Sequence, residues 1–492
     1  MLLLPRLACP ALALLLAGCA VVPTPPTSLE SAAPAQWQAP PPGPSAPVAH
    51  GGSQVALSHW WHAQGDPLLA ELIDAAQAVS PTLAAARAQI AQARAVRTAA
   101  GAALLPTLDG KLQASRSSAQ PPLPMLSVVQ GALQAGWEID ILGGGRAARD
   151  AAQARYEGAQ AGWHDARVSL AAEVASQYAT LRTCEKLVEI AAADAASRAE
   201  TARLTALAAD AGFQAPATAA LARATTAEGS SRLVQQRAAC DTDIKTLVAL
   251  TAWPETELRR RLAAQPGTLP QSAQFGIPSV PAEVLAQRPD VARAAREIAA
   301  ASADIGAAEA QRYPRLTLAG SVGAARFRGD DLSGSLQTWS VGPVALSVPL
   351  FDAGRRAANA QAAAARYDEA VALYQAAVRR AVSEVEQALV NLDSAEGRNG
   401  DARIAAEGYR ASFTATEARY RGGLASLVEL EDARRTLLAA ETALVSLQRE
   451  RAAAWVALYR AAGGGWQRDT AGTATSINTS TDPTTVSQAA RP

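Results

Sequence analysis

The chain repeats itself at long range. Tyr156 and Tyr367 stand 211 residues apart, and the same offset pairs Trp163 with Tyr374, Val174 with Val385, Leu181 with Leu392 and Gly212 with Gly423. It also sets Gly143 on Gly354, each opening a helical pattern after a strand-like run. This period is far longer than that of solenoid units, so the chain is a duplicated half-molecule and not a repeat array. Both halves must therefore solve the same folding problem.

Each half reads as helix, strand, strand, a very long helix and a returning helix. The long helix of the second half carries an apolar seam at Tyr367, Val371, Tyr374, Val378, Ala381, Val385, Ala388 and Leu392. The gaps alternate four and three, the spacing of coiled-coil packing. No proline falls between Arg355 and Tyr420, so one helix could run roughly 100 Å at 1.5 Å per residue. Gly422 and Gly423 break it, and the chain returns through Leu430, Leu437 and Leu444. In the first half the long helix spans about Arg146 to Asp210, with its break at Gly212 and Pro216 beyond. Two long antiparallel hairpins result. Apolar residues make up 49% of the chain but aromatics only 4%, so the seams are alanine-rich and the helices can approach closely. The 45 basic residues equal the 45 acidic ones, which argues against a nucleic-acid binder and against an acidic disordered protein.

Four segments follow the other period: about 107–117, 127–139, 315–328 and 336–348. In the second, Val129, Gly131, Leu133, Ala135 and Trp137 face one way, with Gln130, Gln134 and Glu138 opposite. In the third, Leu316, Leu318 and Val322 oppose Thr317 and Ser321. Such segments suit membrane β-strands, yet four strands cannot close a membrane barrel, whose minimum is about eight. If they cross a bilayer, several chains must share one barrel. Four strands of an ordinary soluble sheet are the alternative.

The amino terminus reads as a secretory signal, residues 1–18, with Arg6 before an apolar run from Leu7 to Ala17 that is too short to span a bilayer. Leu16-Ala17-Gly18-Cys19 resembles a bacterial lipobox, which makes Cys19 the lipidation site, carrying diacylglycerol and an N-acyl chain. A signal peptide that merely contains cysteine, as at Cys9, is the alternative. The expected division is a lipid anchor and Pro-rich linker over 19–56, repeats over 57–270 and 271–466, and a disordered tail over 467–492.

Catalytic patterns are weak. Gly143-Gly144-Gly145-Arg146-Ala147-Ala148 has the G-x-G-x-x-A form, with Asp165 at a distance suited to a ribose contact. The preceding strand carries Gln134, Glu138 and Asp140, whereas a parallel dinucleotide-binding strand is apolar on both faces, and the following helix is too long for a crossover. These glycines read as a strand-to-helix turn. His59, Trp60, Trp61 and His62 read as an aromatic cluster, not a metal site. No cofactor, no metal and no enzyme activity is expected.

Several motifs together resemble one family. Ile277-Pro278-Ser279-Val280-Pro281, Leu285-Ala286-Gln287-Arg288-Pro289-Asp290-Val291, Ile305-Gly306 and Tyr313-Pro314 are similar to the hallmark run of TolC-like outer-membrane factors. Pro349-Leu350-Phe351-Asp352-Ala353-Gly354-Arg355, Arg419-Tyr420-Arg421-Gly422-Gly423 and Gly463-Gly464-Gly465-Trp466 resemble further motifs of that family, in its NodT-type lipoprotein branch. The similarity covers about 57–466. Ser80 and Gln287 depart from it, at positions that read as surface.

The resemblance implies a mainly α fold with membrane β-structure: a homotrimer in which four strands per chain build a twelve-stranded barrel, continued by an α-helical tunnel of long antiparallel hairpins. It implies an outer-membrane, lipid-anchored channel reaching into the periplasm. Such a channel passes drugs or other small toxic compounds from an inner-membrane RND-type pump through a periplasmic adaptor (membrane fusion) protein. A type I protein secretion duct shares this architecture. A periplasmic coiled-coil scaffold would share the heptads but not the paired strands. By the same resemblance the periplasmic gate falls on Glu429 and Asp432, with Val428, Tyr420 and Arg435 at other gate positions. The equivalents of the two acids in the first half, Thr218 and Leu221, are uncharged. Ser426 and Glu429 also form an S-x-x-E capping box, so for Glu429 both roles stay open. The tips, Gly212, Phe213 and Gln214 in one hairpin and Gly422, Gly423, Leu424, Ala425 and Ser426 in the other, would meet the adaptor.

Cys184 and Cys240 remain. Cys184 lies 28 residues before Gly212 and Cys240 28 after it, so antiparallel helices put both about 42 Å from the tip. In an oxidising periplasm they are expected to form a disulfide, two buried thiols being the alternative.

Overall fold

The computed structural model describes residues 25–29, 33–39, 60–63, 65–118, 125–264, 281–329 and 333–466. The signal segment, Cys19, His59, motif residues 277–280 and the tail from 467 lie outside the described residues. In the first half, α1 (Trp60–Ala63), α2 (Pro67–Val79) and α3 (Pro81–Ala102) lead into β1 (Thr107–Ser117) and β2 (Leu126–Ile139). There follow α4 (Gly144–Asp210), the returning α5 (Pro216–Thr251) and the short α6 (Glu255–Ala263). The second half repeats the order with α7 (Pro281–Ala286), α8 (Pro289–Ala310), β3 (Arg315–Arg328), β4 (Ser333–Ser347), α9 (Arg355–Arg421) and α10 (Leu427–Ala461). Helices α4 and α9 have the same length, 67 residues, about 100 Å.

The matched glycines take matched conformations. Gly143 and Gly354 open the long helices at φ +79° and +85°, and Gly212 and Gly423 turn the hairpins at +78° and +73°. Side chains other than glycine resist this left-handed region, so both the entry and the exit of each long helix are fixed by sequence. The dinucleotide-like run is such an entry. A Cβ at Gly144 would lie 2.7 Å from Ala310 Cβ, and one at Gly145 2.7 Å from Leu104 Cδ2. The glycines let the helix start lie against its neighbours. Asp165 is half-buried, its carboxyl pushed up by burial and by nearby Asp290.

The four strands form one antiparallel sheet in the order β1-β2-β3-β4. Its register lines Gly110, Leu133, Val322 and Trp339 in one row and Leu108, Ala135, Gly320 and Val341 in the next. This apolar face is bare: Trp339 is 79% exposed and Val341 84%. The other face carries Asp109, Gln134, Ser321 and Ser340 in one row, with Gln130 Nε2 donating to Gln113 Oε1 at 3.1 Å and the Ser321 and Ser340 hydroxyls 2.9 Å apart. An apolar outside, a polar inside and two open edges describe a segment of a barrel wall. No helix among the described residues is long and apolar enough to cross a membrane.

The heptad seams meet in the core. Val174 and Val385, and Leu181 and Leu392, repeat partners in sequence, join one cluster with Trp60, Trp61, Trp455 and Tyr459. The Trp60 ring stacks on Tyr459 at 4.9 Å. Ser80, expected at the surface, is buried. It caps α3, accepting Leu83 N at 3.3 Å, because a helix that starts against another helix needs its cap inside. Nearby, Asp66 caps α2 and accepts the Tyr178 hydroxyl at 2.5 Å. Burial and that carboxylate hold the phenol well above its ordinary range.

Two pieces of the segment read as a linker lie on the helices. Ser302 Oγ donates to the Pro25 carbonyl at 2.6 Å, and the Tyr367 hydroxyl to that of Pro26 at 3.0 Å. The Glu386 carboxylate accepts the Gln38 and Ala39 N–H groups, each at 2.7 Å. Leu29 and Ala33 pack on the α8–α9 core and Trp37 on the main one. A Pro-rich strand has no internal hydrogen bonds, so its polar groups find side-chain partners.

Cys184 and Cys240 are disulfide-bonded, with Cα atoms 5.5 Å apart. The bond joins α4 to α5 only. At the repeat-equivalent level, α9 and α10 carry Ala395 and Arg451, and the nearby link is the Arg451–Glu396 ion pair at 3.0 Å.

Candidate functional site

Both hairpins end in short glycine turns. After α4, the Gly212 turn directs the Phe213 and Gln214 N–H groups to Ala208 O at 2.8 and 3.2 Å. After α9, Gly423 N donates to Tyr420 O at 3.0 Å and Leu424 N to Arg419 O at 2.8 Å. A Cβ at Gly212 or Gly423 would meet nothing within 4 Å. Glycine is needed there for the turn alone. The apolar side chains beside the turns, Phe213, Leu424 and Val428, are exposed.

The five positions that the resemblance assigns to a gate lie in four different settings. Glu429 closes a full capping box: Ser426 N donates to its Oε2 at 2.6 Å and Glu429 N to Ser426 Oγ at 3.2 Å. The Ser426 N–H holds its carboxyl below the ordinary range. Asp432 pairs with Arg435 at 2.5 Å on the exposed side of α10, three residues apart. Tyr420 reaches the other hairpin, its hydroxyl 2.7 Å from Thr205 Oγ1. Val428 stands free of the core.

Just above Tyr420, where α4 meets α10, sits a buried charge cluster that the sequence alone did not single out. Arg198 Nε donates to both oxygens of Asp194 at 3.0 Å, and its Nη1 to Glu431 Oε2 at 2.5 Å. Glu431 also pairs with Arg434, whose Nη2 donates to Ser197 Oγ at 3.0 Å and Thr201 Oγ1 at 2.9 Å. Arg434 lies 5.5 Å from the Phe413 ring centroid. Burial pulls its guanidinium below the ordinary value, against the pull of Glu431. Gly229 on α5 leaves room for the Arg198 chain, since a Cβ there would come within 2.8 Å of Arg198 Cδ. The two hairpins are thus joined by an apolar core above and, below, by charge and hydroxyl pairs beside a small apolar cluster of Ala222, Leu427 and Leu430 with Ala202, Phe413 and Tyr420. A polar seam can exchange its partners for water when it parts, which an apolar seam cannot do cheaply.

Residues 72–252 and 280–464 match the Outer membrane efflux protein family. The pyoverdine export outer membrane protein OpmQ of Pseudomonas putida is 32% identical over 484 residues, covering 93% of this chain and 97% of that one. The solvent efflux pump outer membrane protein SrpC of Pseudomonas putida is 31% identical over 474 residues, covering 92% and 97%. Among solved structures, the outer-membrane channel OprN matches with a TM-score of 0.80 at 30% identity, covering 91% of this chain and 100% of that one. VceC from Vibrio cholerae matches at 0.72 and 26% identity, covering 83% and 99%.

Proposed function

Since this chain belongs to the outer membrane efflux protein family, we propose that it conducts small organic compounds passively from an RND-type pump and a membrane-fusion adaptor to the cell exterior. It is a non-enzymatic outer-membrane channel of tripartite efflux systems, a trimer whose sheets close into a twelve-stranded barrel and whose hairpins extend into the periplasm. The observation that carries the reading is the sheet, apolar on its bare face and open at both edges. The relatives' names include pyoverdine export and solvent efflux. Cargoes that different fit a duct that selects little, with choice left to the pump.

The exposed tips are the proposed adaptor-docking surface, supported by their bare apolar side chains. Gly423→Trp should abolish resistance in a complemented deletion strain while the trimer still assembles and conducts in planar bilayers. Wild-type resistance would remove this tip from the interface. Absence of any pore from the assembled wild-type trimer would overturn the channel itself.

The proposed gate is a ring of three Asp432 carboxylates, one per chain, which would favour cations. Glu429 already serves its helix, and the exposed Arg435 pair is too weak to hold Asp432 from such a role. Asp432→Ala should lower cation selectivity and weaken block by trivalent cations; unchanged selectivity would defeat the assignment.

The anchor is proposed at Cys19. Pro25 lies six positions beyond it, a reach of at most about 21 Å. Ser302, which holds Pro25, is eight residues from the barrel end of α8 at Ala310, about 12 Å. The strap is therefore long enough to bring lipid to the inner face of the membrane. Cys19→Ser should lose incorporation of labelled palmitate; retained label would place the lipid elsewhere.

A further inference from the structure

The apolar face of the sheet ends at a change in chemistry near the β1–β2 and β3–β4 turns. There the register sets Arg116, Ser127, Arg328 and Ser333 in the last row, and Ala114, Val129, Arg326 and Ser335 in the row below it. All three arginines are exposed, and they lie on the same face as Leu112, Leu133 and Val322, the outside of the barrel. Strands stand about 4.8 Å apart, so Arg116 and Arg328, flanking Ser127, are about 10 Å apart across the sheet. Arg326 lies two residues along from Arg328, about 7 Å. On the inner face at this level the side chains are Ser115, Val128 and Phe327, with Gly334 beside them. None is charged, so the arginines do not line the conduit.

Their depth is set by the rows beneath. From the row of Ile139 and Leu316 to that of Leu112 and Ala324, the outward face is apolar or small apart from Gln337. This spans about 27 Å of strand, or roughly 20 Å of height at the usual tilt. The arginines begin one row further out, at headgroup level on the side of the membrane away from the helices. Arginine there meets phosphate in a fixed fork geometry, and the serine hydroxyls between can donate to the same groups. Among the described residues none of the three is ion-paired with a carboxylate; Arg116 Nε faces Met125 Sδ at 3.1 Å.

We propose that Arg116, Arg326 and Arg328, with the serines between them, bind the phosphate groups of the phosphorylated glycolipids in the outer leaflet. The inference rests on the outer-membrane barrel, and it gives that barrel nine arginines around its rim, three per chain. Lipid held there would cover the joint between β4 of one chain and β1 of the next.

The test uses the full-length trimer with lipid A, dephosphorylated lipid A and inorganic phosphate as probes. Lipid A should raise the temperature at which the trimer dissociates on gels, and the other two should do so little. In R116S/R326S/R328S the lipid A effect should be lost, with capture about tenfold weaker for the lost charge-assisted contacts, and the triple lysine variant should recover part of it. Single-channel conductance checks that each variant is still a pore, so a failed barrel is distinguishable from a failed lipid site. Equal shifts in wild type and the serine variant, or equal shifts with dephosphorylated lipid, would overturn the proposal. A response to inorganic phosphate alone would make this a free-anion site. Asp330 and Asp331 follow β3 and precede β4 in the sequence and lie outside the described residues. Their change to asparagine should tighten lipid capture. If the arginine variants have an effect only while both aspartates are present, the arginines serve the turn and the proposal fails.

Discussion

Glu431→Gln is expected to loosen the lower seam between the hairpins more than any other conservative change near the tips. The carboxylate lies between two buried guanidiniums, those of Arg198 and Arg434. Without its charge they face each other with Asp194, which Arg232 shares, and the more distant Glu417 to balance them. Removing one partner of a buried ion cluster costs about 3–5 kcal/mol. Hydrogen exchange over residues 194–205 and 427–434 should read this as a loss of protection of about two to four orders of magnitude. Replacing Asp194, Arg198, Glu431 and Arg434 together by apolar side chains of similar size should restore protection, because a buried ionic group replaced as a whole is commonly neutral or stabilising. Protection unchanged in Glu431→Gln would show that the cluster does not hold the seam shut.

Gly463→Ala should prevent assembly altogether. The residue sits at φ +84°, and a Cβ there would fall 2.2 Å from the Gln287 carbonyl oxygen and 2.9 Å from its carbon. Both obstacles are backbone, so the end of α10 would have to leave the start of α8. That contact joins two of the sequence motifs, since Arg288 Nη1 also donates to Ala461 O at 3.0 Å while pairing with Asp290 and Glu384. A loss above about 4 kcal/mol is expected from a clash of this kind, seen as absence of the heat-modifiable trimer. Gly423→Ala is the control: its φ is +73° but the space is open, so about 1–2 kcal/mol of backbone strain is the whole effect. Normal assembly of Gly463→Ala would mean that the close approach is wrong.

Sequence periodicity carried the scaffold well. The proline-free stretch from Arg355 becomes α9, and the repeated glycines recur with repeated dihedrals. Strand β4 starts at Ser333, three residues before the alternation at 336 suggests. Ser333, Gly334 and Ser335 look like turn residues, yet they pair with Arg328, Phe327 and Arg326. The charge cluster was illegible for a physical reason. Asp194 and Arg198 are four apart, and Glu431 and Arg434 three apart, the spacing of ordinary solvated helix pairs. Only the juxtaposition of α4 and α10 makes them one buried group. The repeat did hold a hint, because the positions matching Asp194 and Arg198 are Ala405 and Tyr409, and that matching Glu431 is Ala220. The Pro-rich segment misled differently: composition reports that a strand cannot form a core of its own, not that a neighbour will hold it.

The repeat also sets a counting problem at the periplasmic end. Three chains present six hairpins, alike in backbone but of two alternating kinds, one ending in Gly212-Phe213-Gln214 and the other in Gly422 to Ser426. The end of the tunnel is close to sixfold in shape and only threefold in chemistry. A ring of six identical partner subunits cannot meet it through six identical contacts. Either three copies each span a pair of unlike tips, or six copies settle into two alternating environments, each neighbour bound differently from the next.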